Sequence, residues 1–156
     1  MLRELEIKNI VLIEYLNIDF KSGLSVLTGE TGTGKSILLD SLGLILGNRS
    51  DFSLIRQNSE FATVTATFDI TAEHPVKETL NKYNLDYDTE IIIRRDLKKE
   101  GRSKCMVNDT LVTRNTLIEI TDQMIEIQGQ FEDRGLLNIN SHLSLLDSFA
   151  KHEDLI

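Results

Sequence analysis

An α/β fold, with mixed β-sheets around one helix that follows a glycine-rich loop, is predicted by three observations. The first is Gly29-Glu30-Thr31-Gly32-Thr33-Gly34-Lys35-Ser36, which satisfies G-x-x-x-x-G-K-[ST] at every fixed position. The second is its setting, because residues 24–28 form an apolar run of strand type before the loop and residues 37–46 carry apolar side chains on every turn after it. The third is the period-two alternation of residues 61–70, which reads as a half-buried strand.

The loop's residue types fit one chemistry. Glycines take backbone conformations closed to other residues, so consecutive N–H groups can turn inward on phosphate oxygens. A helix starting near Gly34 adds its positive N-terminal end. Lys35 is placed to reach the β- and γ-phosphates as a point charge, and the Ser36 hydroxyl to ligate Mg²⁺. The expected nucleotide-binding residues are therefore Gly29, Glu30, Thr31, Gly32, Thr33, Gly34, Lys35, Ser36 and Ile37, in a P-loop NTPase.

Composition narrows the class. With 156 residues, 40% apolar and 27% charged, one domain is expected. No apolar run approaches the ~18 to 20 residues that span a bilayer, and Met1-Leu2-Arg3-Glu4-Leu5 lacks the apolar core of a signal peptide, so a cytoplasmic protein with no membrane partner is expected. The single cysteine, Cys105, suits a reducing compartment and reads as a structural residue on a strand. His74, His142 and His152 are scattered without partners at ligand spacing, so no zinc site is expected. The net charge of −8 argues against a broad nucleic-acid surface but leaves room for a local one.

In chain order, residues 2–7 and 16–20 alternate as strands, and Lys21-Ser22-Gly23 turns the chain toward the loop. Gly47-Asn48-Arg49-Ser50-Asp51 closes the helix, and a connection runs on through Arg56 to Ser59. In the strand at 61–70, Val64, Ala66, Phe68 and Ile70 share one face. Pro75 opens a short helix to about Asn84. Residues 90–95 and 103–107 flank Lys98-Lys99-Glu100-Gly101-Arg102 as a hairpin with a charged tip. Residues 94–104 hold six basic and two acidic side chains, a local +4. Lys98, Lys99 and Arg102 are candidates for contact with a DNA backbone, although a solvated hairpin tip, with Lys blunting an exposed edge, is the commoner explanation. Thr113 caps a helix to about Gln123 that packs through Leu117, Ile120 and Met124. Residues 124–127 read as a buried strand leading to Gln128-Gly129-Gln130, and Ser141 caps a last helix with Leu143, Leu145, Leu146 and Phe149 apolar.

Two strands ahead of the phosphate loop suit ATPase heads of the ABC and SMC class. The ordered set goes further. The loop, then Leu44-Ile45-Leu46-Gly47-Asn48-Arg49, Asp109, Gln130 about ninety-five residues after Lys35, and Leu136-Leu137-Asn138 ahead of His142-Leu143-Ser144-Leu145-Leu146-Asp147 together resemble the N-terminal lobe of the RecN family. These are bacterial SMC-like proteins of recombinational DNA repair, and the likeness covers essentially residues 1–156.

The resemblance implies an ABC/SMC-type head made from the two ends of a longer polypeptide. This N-terminal lobe brings the phosphate loop and the Q-loop, and a C-terminal lobe brings the ABC signature and the Walker B acid. It implies that Gly29, Gly32, Gly34, Lys35 and Ser36 bind ATP-Mg²⁺ and that Gln130 senses the metal and the attacking water. Lys35 and Gln130 are then the catalytic residues of this lobe, and Ser36 and Gln130 its metal contacts. Residues 141–156 lead toward a coiled-coil arm. The implied partners are the C-terminal lobe, a second head in a homodimer, and DNA, on which the protein is nucleoid-associated.

The chain departs from the family in two places. Gln128 and Phe131 stand where the Q-loop commonly has histidines, and Gly47-Asn48-Arg49 replaces Gly-Gly-Arg. Arg49 and Arg56 are candidates for a cation at the γ-phosphate. No Leu-Ser-Gly-Gly and no run of four apolar residues into Asp-Glu occurs. The leading expectation is an ATPase lobe, active in the full-length protein and inactive alone. A self-contained phosphotransferase with residues 94–104 as its lid, or a nucleotide-binding module without turnover, are the alternatives.

Overall fold

The computed structural model describes residues 1–28, 34–125 and 127. The chain divides into two units, Met1–Ile125 and Glu126–Ile156, and every element below belongs to the first. In order these are β1 (Leu2–Ile10), β2 (Ile13–Asp19), α1 (Lys35–Ile45), a 3-10 turn at Phe52–Leu54, β3 (Phe61–Asp69), α2 (Val76–Lys82), β4 (Glu90–Lys98), β5 (Arg102–Val107), β6 (Thr110–Val112) and α3 (Arg114–Thr121).

The strands form one six-stranded sheet in the order β2-β1-β3-β4-β5-β6. Each neighbouring pair is antiparallel. Parallel pairing of the kind a mixed sheet adds is not found among the described residues. Because strand side chains alternate between faces, the register Ile7, Val64, Arg95, Cys105, Val112 runs as one row across the inner face. The expected face of β3 is observed, with Val64, Ala66 and Phe68 fully buried and Ile70 nearly so. Leu44 and Ile45 of α1, Val76 and Leu80 of α2, and Leu117 and Ile120 of α3 complete the core against it.

Turn chemistry sets the register. Gly101, at φ 82°, closes the three-residue β4–β5 loop, where the charged tip was expected. Asn108 and Asp109, at φ 46° and 63°, form the two-residue turn into β6. The Asn108 carboxamide accepts from the Ile92 N–H at 2.7 Å and donates to the Asp86 carbonyl at 2.6 Å, so the turn is tied to β4 and to the connection before it.

Three expectations fail. Residues 24–28 do not form a strand, and Leu24, Val26 and Leu27 are 93%, 72% and 52% exposed. A strand needs a neighbour for its N–H and C=O groups, and among the described residues none lies alongside this run. Helix α3 stops at Thr121, with the N–H groups of Met124 and Ile125 both donating to the Thr121 carbonyl, so Met124 and Ile125 fold back in a turn instead of starting a strand. The third is Arg95, which was counted in the surface charge of the hairpin. It faces the core on the same side as Ile91, Ile93 and Leu97 and is 3% exposed.

Candidate functional site

Helix α1 is the element that carries the phosphate-loop residues the structure describes. Gly34 is its N-cap, at φ 110° and ψ −4°, and the Leu38 N–H donates to the Gly34 carbonyl at 3.0 Å as the first helical bond. A Cβ at Gly34 would meet nothing within 4 Å, so glycine is needed there for its backbone conformation and not for packing space. The first-turn N–H groups of a helix lack helical acceptors, and α1 has no acidic side chain in that turn to neutralise its positive end. Ser36 is exposed there, while Ile37 is half-buried and packs on the core. Lys35, Ser36 and Ile37 are thus brought together at an anion-ready helix start. Residues 29–33 and Gln130 lie outside the described residues, as do the helix expected from Ser141 and the coiled-coil lead at 141–156.

The other end of α1 is closed by a Schellman arrangement. The Asn48 N–H donates to the Gly43 carbonyl at 2.9 Å and the Gly47 N–H to the Leu44 carbonyl at 3.2 Å, with Gly47 left-handed at φ 82°. Gly47 also touches α3 closely. A Cβ there would lie 2.5 Å from Ile118 Cγ1, and Arg114 Nε donates to the Gly47 carbonyl at 2.6 Å. The helix that presents Lys35 and Ser36 is therefore locked to α3.

Both arginine candidates lie on the connection between α1 and β3. That connection is fastened at each end. Near its start, Arg95 Nη2 donates to Ser50 Oγ at 2.7 Å, and Asp51 accepts from the Ser53 hydroxyl at 2.6 Å and N–H at 2.9 Å, which hold its carboxyl below the usual carboxylate range. Near its end, the Val11 N–H donates to the Leu54 carbonyl at 2.8 Å and the Arg56 N–H to the Asn9 carbonyl at 2.9 Å. The Arg56 guanidinium donates to the Leu12 carbonyl at 2.8 Å, which braces the β1–β2 tip where Val11 sits at φ 44°. Arg56 is thus engaged by the tip, whereas Arg49 is exposed and makes no ion pair among the described residues.

The basic hairpin is partly neutralised by its own surroundings. Lys99 pairs with Glu60 at 3.6 Å and Arg102 with Glu100 at 4.0 Å, while Lys98 is exposed on the last position of β4. Exposed pairs of this kind are weak and exchange readily for another anion, so Lys98, Lys99 and Arg102 keep their capacity for phosphate. The hairpin sits at the β4–β5 turn, on a different element from the phosphate loop. Sequence reasoning missed the Arg95–Ser50 contact. The parity of Ile91, Ile93, Arg95 and Leu97 was the available signal that this arginine points inward.

Among the described residues no helix is long and apolar enough to cross a membrane. A family model described as an AAA domain matches residues 4–153. The chain is 40% identical over its whole length to the DNA repair protein RecN of Haemophilus influenzae, and 41% identical over 98% of its length to the DNA repair protein RecN of Bacillus subtilis. It spans 28% and 27% of the lengths of those two relatives. A solved structure from work on ATP-driven dimerization and DNA-stimulated activation of SMC ATPases superposes with a TM-score of 0.66 at 23% identity, covering 95% of this chain and 98% of that one. The SMC head domain from Thermotoga maritima gives a TM-score of 0.59 at 21% identity, over 76% of this chain and 41% of that one. The α/β fold with its phosphate-loop helix is therefore that of an SMC-type head lobe. With a match spanning residues 4–153 and RecN-like sequence along its length, the chain belongs to the AAA domain family and resembles, within it, the DNA repair proteins RecN.

Proposed function

We propose that this chain is the ATP-binding N-terminal lobe of a two-lobed ATPase head that acts in DNA repair. The observation that carries the reading is the start of α1: a left-handed Gly34 delivers Lys35 and Ser36 into the first turn of a helix that has no acidic residue in that turn. Such a helix start favours a phosphate group. In this reading residues 29–37 cradle the triphosphate of ATP, Lys35 sets its ammonium on the β- and γ-oxygens, and Gln130 positions the attacking water. The exposed Ser36 hydroxyl suits Mg²⁺, with Gln130 as the other contact, and the metal supplies charge neutralisation at the β- and γ-phosphates when bound. Arg49 or Arg56 supplies a further cation at the γ-phosphate.

The remaining parts come from elsewhere. A facing signature motif and a catalytic acid belong to the C-terminal lobe and to a second head of a homodimer. ATP held between the heads joins them, and hydrolysis releases them, which couples turnover to holding DNA. Lys98, Lys99 and Arg102 contact the DNA backbone in that assembly, at the nucleoid. Residues 141–156 lead into the coiled-coil arm.

Calorimetry and single-turnover hydrolysis test this. The chain alone should bind ATP and not turn it over, and adding the C-terminal lobe should restore turnover. Lys35→Ala should remove most ATP affinity with unchanged circular dichroism. With the lobes joined, Gln130→Ala should lower kcat more than affinity. Hydrolysis by the isolated chain that Lys35→Ala abolishes would place the catalytic acid within these 156 residues and overturn the split head.

A further inference from the structure

The inner face of the sheet carries a charge that stability does not account for. Arg95 is 3% exposed, in the row between Val64 and Cys105. Its Nη2 donates to Ser50 Oγ at 2.7 Å, its Nη1 donates to Cys105 Sγ, and its Nε has no hydrogen-bond partner among the described residues. Among the described residues no carboxylate pairs with it. Taking a guanidinium out of water carries a large desolvation cost, and a hydroxyl and a thiol return little of it. At such a place an apolar side chain of similar volume is often as stable or more so.

What the arginine does accomplish is positional. Ser50 is the first residue after Arg49, and the connection it belongs to runs on through Arg56, whose backbone and guanidinium are held by the β1–β2 tip. Without the Arg95 contact the Arg49 end of this connection keeps the local Asp51–Ser53 bonds, the helix cap at Gly47 and the Arg114 contact to the Gly47 carbonyl, none of which involves Ser50. We infer that Arg95 is a positioning residue for ATP turnover, fixing through Ser50 the connection that carries Arg49 and Arg56. The planar guanidinium suits the task, since it can hold Ser50 with one nitrogen while its stem packs in the core. The inference rests on the proposed ATPase function and goes beyond it, because Arg95 touches no nucleotide and acts through a loop.

The test uses the complete protein and three variants, Ser50→Ala, Arg95→Met and Arg95→Lys. Ser50→Ala removes the acceptor with little change in packing, and Arg95→Met removes the buried charge while keeping an unbranched stem. Both should lower kcat about tenfold while the Kd for ATP stays within twofold of wild type. The double variant should be no slower than Arg95→Met alone, as expected for two residues acting through one contact. Arg95→Lys should recover part of the rate if its ammonium reaches Ser50. The thermal midpoint of Arg95→Met should stay level or rise, which a purely structural arginine would not allow. If Arg95→Met fails to fold, Ser50→Ala still decides. Unchanged kcat in Ser50→Ala with native ATP binding, or a fall in the midpoint of Arg95→Met with kcat intact, would overturn the inference. Loss of ATP binding by the wild-type protein would instead overturn the proposed function.

Discussion

Gly47→Ala is the perturbation for which the structure gives the most definite cost. The residue is left-handed at φ 82°, where a side chain costs ~1 to 2 kcal/mol. The new methyl would also lie 2.5 Å from Ile118 Cγ1, so the Ile118 side chain or the backbone must give, and overpacking of that kind costs ~1 to 3 kcal/mol. The expected loss is about 2 to 5 kcal/mol in sum. With a urea slope of about 2 kcal/mol per molar, the unfolding midpoint of the purified chain, followed by circular dichroism, should fall by about 1 to 2.5 M. Two other glycines separate the terms. Gly34→Ala meets nothing within 4 Å, so it should show the conformational cost alone. Gly43→Ala meets first the Asn48 side chain, its carboxamide nitrogen at 2.6 Å, and a side chain that can swing away makes it cheaper still. Ile118→Ala should return most of the steric part when combined with Gly47→Ala, as a non-additive cycle. A midpoint shift for Gly47→Ala no larger than that for Gly34→Ala would refute the claim that Gly47 is held by contact with α3.

Charge reversal at Lys98, Lys99 and Arg102 should weaken DNA association of the complete protein and flatten the slope of log affinity against log salt; an unchanged slope would return the tip to a role as a solvated, pair-neutralised turn. Cys105 gives a pH prediction with a definite sign. Burial pushes its thiol above the ordinary value of 9.0, with the Arg95 guanidinium opposing, so the unfolded chain loses this proton first as pH rises. The stability it confers is whole below about pH 9 and is lost as pH climbs through the folded value. Thermal midpoints between pH 8 and 10 should fall less steeply in Cys105→Ala than in wild type, and parallel curves would show that the thiol does not titrate differently in the two states.

Much of the fold was legible because local chemistry and periodicity agree with it. The inward set of β3, the hairpin around Gly101, the cap at Thr113 and the stop at Gly47 are each specified within a few residues. The Thr113 hydroxyl accepts from the Thr116 N–H at 3.1 Å, as an N-cap should. Strand β6 was missed although Asn108-Asp109 is a turn pair of the kind that joins short strands, because three residues carry too little alternation to be seen. The phosphate loop was the plainest part of the site, since its string encodes backbone conformation directly. The arginines were the least plain. Whether a guanidinium faces a phosphate, a turn or the core depends on which strand parity and which loop end it occupies, and only the register separates Arg49, Arg56 and Arg95.

The failed strand at 24–28 carries the last step. Its sequence is that of a buried strand, yet Leu24, Val26 and Leu27 stand open. Burying such side chains is worth ~1.5 to 3 kcal/mol each. Exposure of all three beside the phosphate loop therefore leaves several kcal/mol unrealised at the point where the site must be rigid. A strand from outside the described residues that pairs with this run would satisfy its backbone groups, bury those side chains and stiffen the loop in one event. If the C-terminal lobe of the proposed two-lobed head supplies that strand, the residues that bind ATP and the residues that order the binding loop reside in different segments. Joining the lobes should then raise ATP affinity as well as turnover, and hydrogen exchange at residues 24–28 should slow only in the joined protein.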